Sequence, residues 1–307
     1  MWGGLGPRDR SAHQVTRTTD FRIVVATDGS SQARAAVATV LAVPWPAETH
    51  VRAVIARQSR TPYSRSILLS ALDRSADESA AEARHTLARR WPSAEAVVVD
   101  KGAIKGILHE AERFHADLVA VGWRGHGTAR RLLMGSVSRG VVRGATCAVL
   151  VVRQRPRRVR RIMIGFDGSP NAQRAVQLVA KLVAPPDGRV TLVGIVEILA
   201  PSSHGPAVGG IRSTIAREVR RINAEGAKLA IKALKHAAAE LNGHRWRTDT
   251  QLRTGEPLRE LMTAVGAADP DLLVVGARGT SGVRHLLLGS VAEGVLNRSS
   301  VPVLLAR

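Results

Sequence analysis

Cysteine is nearly absent from this chain of 307 residues: Cys147 stands alone. One thiol can form neither an internal disulfide nor a thiolate zinc site. It lies in an apolar, strand-like run and reads as a small buried hydrophobe. Aromatic side chains make up only 3% of the chain, and none interleaves with the Arg-rich stretch at 153–161. That argues against a base-stacking platform for single-stranded nucleic acid. Lysine is scarce as well. Six of the basic residues are Lys, namely Lys101, Lys105, Lys181, Lys228, Lys232 and Lys235. The dominance of Arg resembles GC-rich codon usage as much as selection. No apolar run approaches the ~18–20 residues needed to span a bilayer, so no membrane helix is expected. The stretch Met1–Asp20 has no apolar core of the kind a secretory signal carries, and the expected location is the cytoplasm. No G-x4-G-K-[ST] occurs, which excludes a P-loop ATPase. The ten His residues show no metal-binding spacing, and no metal site is expected from them.

What is present is globular in composition, 45% apolar and 23% charged. The net charge is +20. Residues 1–152 hold 21 basic and 13 acidic residues, and 153–307 hold 24 and 12, a surplus of 8 and of 12. Half of the second surplus is one acid-free run: Arg153, Arg155, Arg157, Arg158, Arg160 and Arg161. Such a run binds nucleic acid or anionic lipid by counterion release, or is simply a solvated linker.

The chain repeats itself. "IVVATDGS" at 23–30 returns as "IMIGFDGS" at 162–169, and "DLVAVGWRGHGTARRLLMGSVSRGVV" at 117–142 returns as "DLLVVGARGTSGVRHLLLGSVAEGVL" at 271–296. Asp28 and Asp167 are 139 apart, but Gly122 and Gly276 are 154 apart. The second copy therefore carries about fifteen extra residues, placed in the Pro-, Gly- and Ser-rich stretch 198–212. Of this stretch, Leu199–Gly210 is expected to be mobile. The division expected is an N-terminal flexible arm at 1–19, a first domain at 20–153, an Arg-rich linker at 154–160 and a second domain at 161–307. Within each copy, short Val/Ile/Leu runs alternate with helical patterns. The long amphipathic helices are expected at Ser66–Trp91 and near Ile211–Leu241. Such alternation is typical of parallel sheets covered on both faces. The fold class expected is α/β, two tandem doubly wound (Rossmann-like) domains.

The fourth strand of each copy leads into a spaced glycine loop. The first has Gly122, Gly125, Gly135 and Ser136; the second has Gly276, Gly279, Gly289 and Ser290, in the pattern G-x2-G-x9-G-S. Glycines permit positive φ and let backbone N–H groups approach an anion closely. Gly135-Ser136 and Gly289-Ser290 each open a helix, whose first N–H groups lack internal partners and whose dipole favours negative charge. The Ser hydroxyl can cap that helix or donate to a phosphate. The first strands end in Asp28-Gly29-Ser30 and Asp167-Gly168-Ser169, at the switch point where open α/β sheets take ligands. An Asp there can accept from ribose hydroxyls or hold a metal ion; the plainer reading is that Asp and Ser cap the next helix. Arg124, Arg130, Arg131, Arg278 and Arg284 fall near the same loops, as do His126 and His285. No general base or nucleophile accompanies them, so no catalytic residue is assigned.

These motifs make the chain resemble the ATP-binding branch of the universal stress proteins, in tandem form, over residues 20–307. The resemblance implies that each domain is a five-stranded parallel sheet of order 3-2-1-4-5 with helices on both faces, paired through the fifth strands as two sheets about a pseudo-twofold. It implies ATP as the cofactor, with Mg2+ as its accompanying ion. The contacts implied are Gly122, Gly125, Gly135, Ser136, Gly276, Gly279, Gly289 and Ser290 to phosphates and ribose, with Asp28 and Asp167 beside the nucleotide. The adenine is implied near Val54–Ala56 and Ile195–Val196. A homodimer is implied too. One departure from the family pattern is Ala148, where the second copy has Pro302; it touches an edge-strand feature linked to pairing between domains, and not the loop. The function implied is nucleotide-dependent stress response or signalling. The alternatives are slow ATP hydrolysis or nucleotidyl transfer, or nucleic-acid association through the Arg-rich linker.

Overall fold

The computed structural model describes residues 20–57, 67–124, 134–154, 158–198, 211–279 and 288–307. The first half runs β1 (Phe21–Ala26), α1 (Ser31–Ala42), β2 (Thr49–Ala56), α2 (Ile67–Ala88), β3 (Glu95–Val99), α3 (Ala103–Arg113), β4 (Leu118–Gly122), α4 (Ser136–Gly144) and β5 (Ala148–Val152). The second runs β6 (Arg161–Gly165), α5 (Pro170–Ala180), β7 (Arg189–Val196), α6 (Ile211–Gly243), β8 (Arg247–Thr254), α7 (Pro257–Ala268), β9 (Leu272–Gly276), α8 (Ser290–Arg298) and β10 (Val303–Ala306). The 1–19 arm and the expected mobile stretch 199–210 lie outside the described residues, as do Gly125, His126, Arg130, Arg131, Arg155, Arg157, Arg284 and His285.

Each half has the strand order 3-2-1-4-5, with every pairing parallel inside the half. The expectation of two separate sheets is corrected. The strands form one ten-stranded sheet, β3-β2-β1-β4-β5-β10-β9-β6-β7-β8, closed across the middle by antiparallel β5–β10 pairing. The physical reason is that β5 and β10 are apolar on both faces and wholly buried, so neither can serve as a solvated edge. The fifth strands are thus central: Ala148 and Pro302 stand at the start of the strands that pair the two halves, as expected, but those strands are not edges. Ala148 N–H donates to the Asp117 carbonyl at 3.2 Å, a bond that Pro302 cannot make. Accordingly β10 begins one residue later than β5 in its repeat.

One core layer packs α1, α2, α5 and α6 on one face of this sheet. The other packs α3, α4, α7 and α8 on the opposite face. Both layers cross from one half to the other. Two arginines reinforce the join. Arg153, just after β5, donates to the Asn297 carbonyl at 2.6 Å and to the Leu296 carbonyl at 3.4 Å, at the end of α8. Arg307, just after β10, donates to the Val142 carbonyl near the end of α4. Each cation meets the carbonyl-rich, negative end of the other half's helix. Burial pulls both guanidinium groups below the usual arginine range, with Arg124 adding to this at Arg153 and Arg278 at Arg307. Trp123 adds an Nε1–H bond to the Leu296 carbonyl at 3.2 Å and stacks under Arg153.

The Arg-rich segment is likewise drawn into the fold where it is described. Arg160 pairs with Asp187, and Arg161 with Asp271 at 3.2 Å and Asp269 at 3.6 Å. Val159, between Arg158 and Arg160, is buried.

Arg153→Ala and Arg307→Ala each remove charge-assisted bonds at the join. Each is expected to lower stability by about 1.5–3 kcal/mol in a denaturant titration. Cys147 is half-buried, and burial pushes its thiol up from 9.0 to about 11. The folded state therefore holds this proton more tightly than the unfolded chain. That contribution to stability is complete below pH 9 and is lost as pH rises through about 11. At pH 8 the thiol should react with a maleimide roughly 100-fold more slowly in the folded protein than after denaturation.

Candidate functional site

The first strand of each half ends in an Asp-Gly-Ser turn built the same way twice. The Asp28 carboxylate accepts from Ser30 N–H at 3.0 Å, and Asp167 from Ser169 N–H at 2.9 Å. Gly29 and Gly168 take φ of 75° and 76°, a left-handed conformation that L side chains avoid. Ser30 and Ser169 then cap α1 and α5, accepting from Ala33 and Ala172 N–H at 3.2 and 3.1 Å. Helix capping by the Ser and turn formation by the Asp are therefore both real. They leave Asp28 and Asp167 exposed at the carboxyl end of the sheet.

The loop glycines do something other than adopt positive φ. Gly135 and Gly289 have φ of −60° and −73°, and among the described residues the glycines with positive φ are Gly29, Gly168 and Gly255. Close approach is what the loop glycines supply. A Cβ on Gly122 would lie 2.8 Å from the Gln32 backbone, and one on Gly276 would lie 2.9 Å from the Ala172 nitrogen. These two glycines let the fourth strand end directly on the first turn of the neighbouring helix. A Cβ on Gly279 would fall 2.6 Å from the Asp167 carboxylate. Gly135 and Gly289 are the N-caps of α4 and α8, with no side chain available to cap, and their N–H groups donate to Trp123 and Ala277 carbonyls at 2.9 Å. Ser136 and Ser290 are the first helical residues, and both are exposed. The capping role expected as one option for Ser136 and Ser290 is not taken.

In the second half these parts open into one cavity of about 670 Å3, lined by Asp167, Gly276, Gly279, Gly289 and Ser290 together. That volume lies within the ~300–1,000 Å3 of small-ligand sites. The loop is anchored from below: the Arg278 carbonyl accepts from Ser169 Oγ at 3.3 Å and Asn171 Nδ2 at 3.2 Å. Of Ile195 and Val196, Ile195 lines this cavity, together with Val193 and Gly194. In the first half, Ser138 Oγ ties α4 to the Gly122 carbonyl at 2.6 Å, and the Gly29 turn lies against Ser79 of α2.

Sequence reasoning missed several lining residues. Phe166, Glu197 and Glu256 belong to the cavity, as does a small-residue face of α6 at Gly226, Ala230 and Ala233. Glu256 caps α7, accepting from Leu258 and Arg259 N–H at 3.1 and 2.7 Å, with Pro257 at the first helical position. The Glu-Pro pair was a readable helix start. The small residues spaced along α6 were the signal for its approach. Among the described residues, no three His, Cys, Asp or Glu side chains gather as a metal site.

A doubly wound sheet with glycine-lined loops at its carboxyl edge, repeated within one chain, defines a tandem α/β protein. The universal stress protein family model matches residues 21–153 and again 158–307, and the chain belongs to that family. A universal stress protein of Mycobacterium bovis is 29% identical over 197 residues, covering 62% of this chain. The match spans 58% of that relative's length. The universal stress protein YxiE of Bacillus subtilis is 27% identical over 149 residues, 48% of this chain and 98% of its own. Among solved structures, a universal stress protein from Archaeoglobus fulgidus aligns over 94% of this chain and 97% of its own, with a TM-score of 0.63 and 16% identity. That likeness is one of fold.

Gly276→Ala and Gly122→Ala test the packing role apart from any ligand. Each forces a methyl into helix backbone and is expected to cost about 1–3 kcal/mol in stability, measured by denaturant unfolding without ligand.

Proposed function

We propose that this chain is an ATP-binding universal stress protein whose nucleotide occupancy serves as a signal or stabiliser. The observation that carries the reading is the second-half cavity, where Asp167, the Gly279 approach and the uncapped start of α8 converge. Free N–H groups at the α8 N-terminus and the helix dipole suit phosphate oxygens. Arg278 lines the same cavity, beside the carboxylates Asp167, Glu197 and Glu256. The Val193–Ile195 wall offers an apolar surface for a purine. In the residue set, Gly276, Gly279, Gly289 and Ser290 hold phosphates and ribose, and Asp167 the ribose or an accompanying Mg2+. Gly122, Gly125, Gly135, Ser136 and Asp28 play the same parts in the first half. A cytoplasmic location and a homodimer belong to the same reading.

Mass spectrometry of small molecules released from purified, undialysed protein should find an adenine nucleotide. Calorimetry should give two ATP sites per chain. Gly279→Val should remove one of them, because its Cβ displaces the Asp167 carboxylate and fills the approach to the loop. Ser290→Ala should weaken that site by only about 0.5–1.5 kcal/mol, leaving the backbone donors in place. An unchanged stoichiometry in Gly279→Val would place any nucleotide elsewhere.

A further inference from the structure

The repeat makes the two halves comparable residue by residue, and beside the cleft they differ. Equivalent bonds fix the register of the second strands: Thr27 N–H donates to the Val54 carbonyl at 3.0 Å, and Phe166 N–H to the Val193 carbonyl at 2.9 Å. The long helices align through their buried faces, with Ala80, Ala83 and Leu87 of α2 matching Leu234, Ala237 and Leu241 of α6.

Arg57 stands just past the end of β2, and three carboxylates surround it. Asp77 accepts from its Nη2 at 2.7 Å, Asp73 lies 3.5 Å from its Nε, and Asp100 lies 3.8 Å from its Nη1. Asp73 and Asp77 are one turn apart on α2, and Asp100 follows β3. The Arg57 side chain is only 20% exposed. The cluster therefore staples α2 to the ends of two strands. The same four positions in the second half hold Val196, Ala227, Ile231 and Thr254. Those side chains cannot form an ion cluster.

A second difference lies on the next residues of α2. Ser79 rests against the Asp28-Gly29 turn: a Cβ on Gly29 would fall 2.6 Å from Ser79 Oγ. Its counterpart is Ala233, and a Cβ on Gly168 would meet nothing within 4 Å. Gly168 is accordingly exposed, whereas Gly29 is half-buried. The space left open in the second half is the cavity lined by Asp167, Gly168, Ala230 and Ala233. Equivalent helices are thus drawn onto the Asp turn in one half and stand off it in the other.

We propose that the Arg57 cluster is a latch holding α2 over the first cleft, so that the two halves take nucleotide unequally and the second fills first. This rests on the nucleotide reading, and it makes Arg57 the positioning residue that sets the first site's affinity. A ligand entering beside Asp28 moves α2 outward, and that motion separates Arg57 from Asp73 and Asp77. A cleft open only about a tenth of the time binds about tenfold more weakly, with its contacts unchanged. Isolated surface ion pairs contribute little, but here one largely covered guanidinium gathers three carboxylates. One chain then responds to nucleotide over two concentration ranges.

The test is calorimetry of the full chain with ATP, with Gly279→Val leaving the first site to be read alone. The first site should bind at least about tenfold more weakly than the second. Raising salt from about 0.1 to about 1 M weakens phosphate contacts at both sites, but it also screens the latch, whose Asp77 and Asp100 are 62% and 67% exposed. The gap between the sites should therefore narrow. Arg57→Val combined with Asp73→Ala and Asp77→Ile gives the first half the second half's side chains. That variant should bring the two affinities within about threefold of each other. Before any ligand is added, it should also speed amide exchange in α2 and leave α6 unchanged. A gap that high salt leaves as wide overturns the latch even if the triple variant fails to fold, and so does a folded triple variant that keeps the wild-type gap. Two equal wild-type sites overturn this inference alone, whereas ATP bound at neither site overturns the functional reading and this inference with it.

Discussion

Three residue pairs between β5 and β10, Val149 with Leu305, Leu150 with Leu304 and Val151 with Val303, turn two five-stranded sheets into one. Neither strand has a polar face, so each covers the other's ladder groups and apolar surface at once. Much else follows from that antiparallel contact. It makes the strand order palindromic, and it lets each core layer run across both halves. It also brings the residue after each fifth strand to the end of a helix in the opposite half, where Arg153 and Arg307 find carbonyls.

The same geometry fixes where a ligand can go. Parallel strands end together, and at the β6/β9 junction the Asp167 turn and the Gly276 loop leave in different directions from neighbouring strands. The cleft between them is bounded by the N-terminus of α8 below and by α6 beside it. Each glycine has its own steric task. Gly276 seats a strand end on a helix, Gly279 leaves room for a carboxylate, and Gly168 turns the chain. A phosphate-binding reading thus rests on open N–H groups and available space more than on unusual backbone angles.

Much of this was legible in the residues. The Val/Ile/Leu runs marked every strand but the polar outer strand β8, with β5 at 148–152 matching its run end to end. The duplicated Asp-Gly-Ser and glycine spacing located the cleft. The continuous sheet was not legible, because "AVLVV" and "VLLA" are equally good as buried strands of separate sheets; pairing partners are long-range facts. The Arg-rich segment looked acid-free because its acids come from elsewhere in the chain, Asp187, Asp269 and Asp271. Glu110 gave no sign of being buried either. It is held by Arg52 at 2.6 Å, a residue from the strand beneath, with the guanidinium stacked on Phe114. For the loop glycines the residues left two tasks open, positive φ and close approach, and the structure shows close approach at Gly122, Gly276 and Gly279. Residue type does not distinguish a glycine needed for torsion from one needed for clearance.

The central claim is that phosphates occupy the loop at the start of α8. Hydrogen–deuterium exchange with and without ATP reads it amide by amide. The account predicts slowed exchange at Gly279 and at the first amides of α8, Ser290 to Ala292, which lack acceptors within the helix. It predicts no change along the outer strand β8. Unchanged exchange at Gly279 and Ser290–Ala292 under saturating ATP would contradict it.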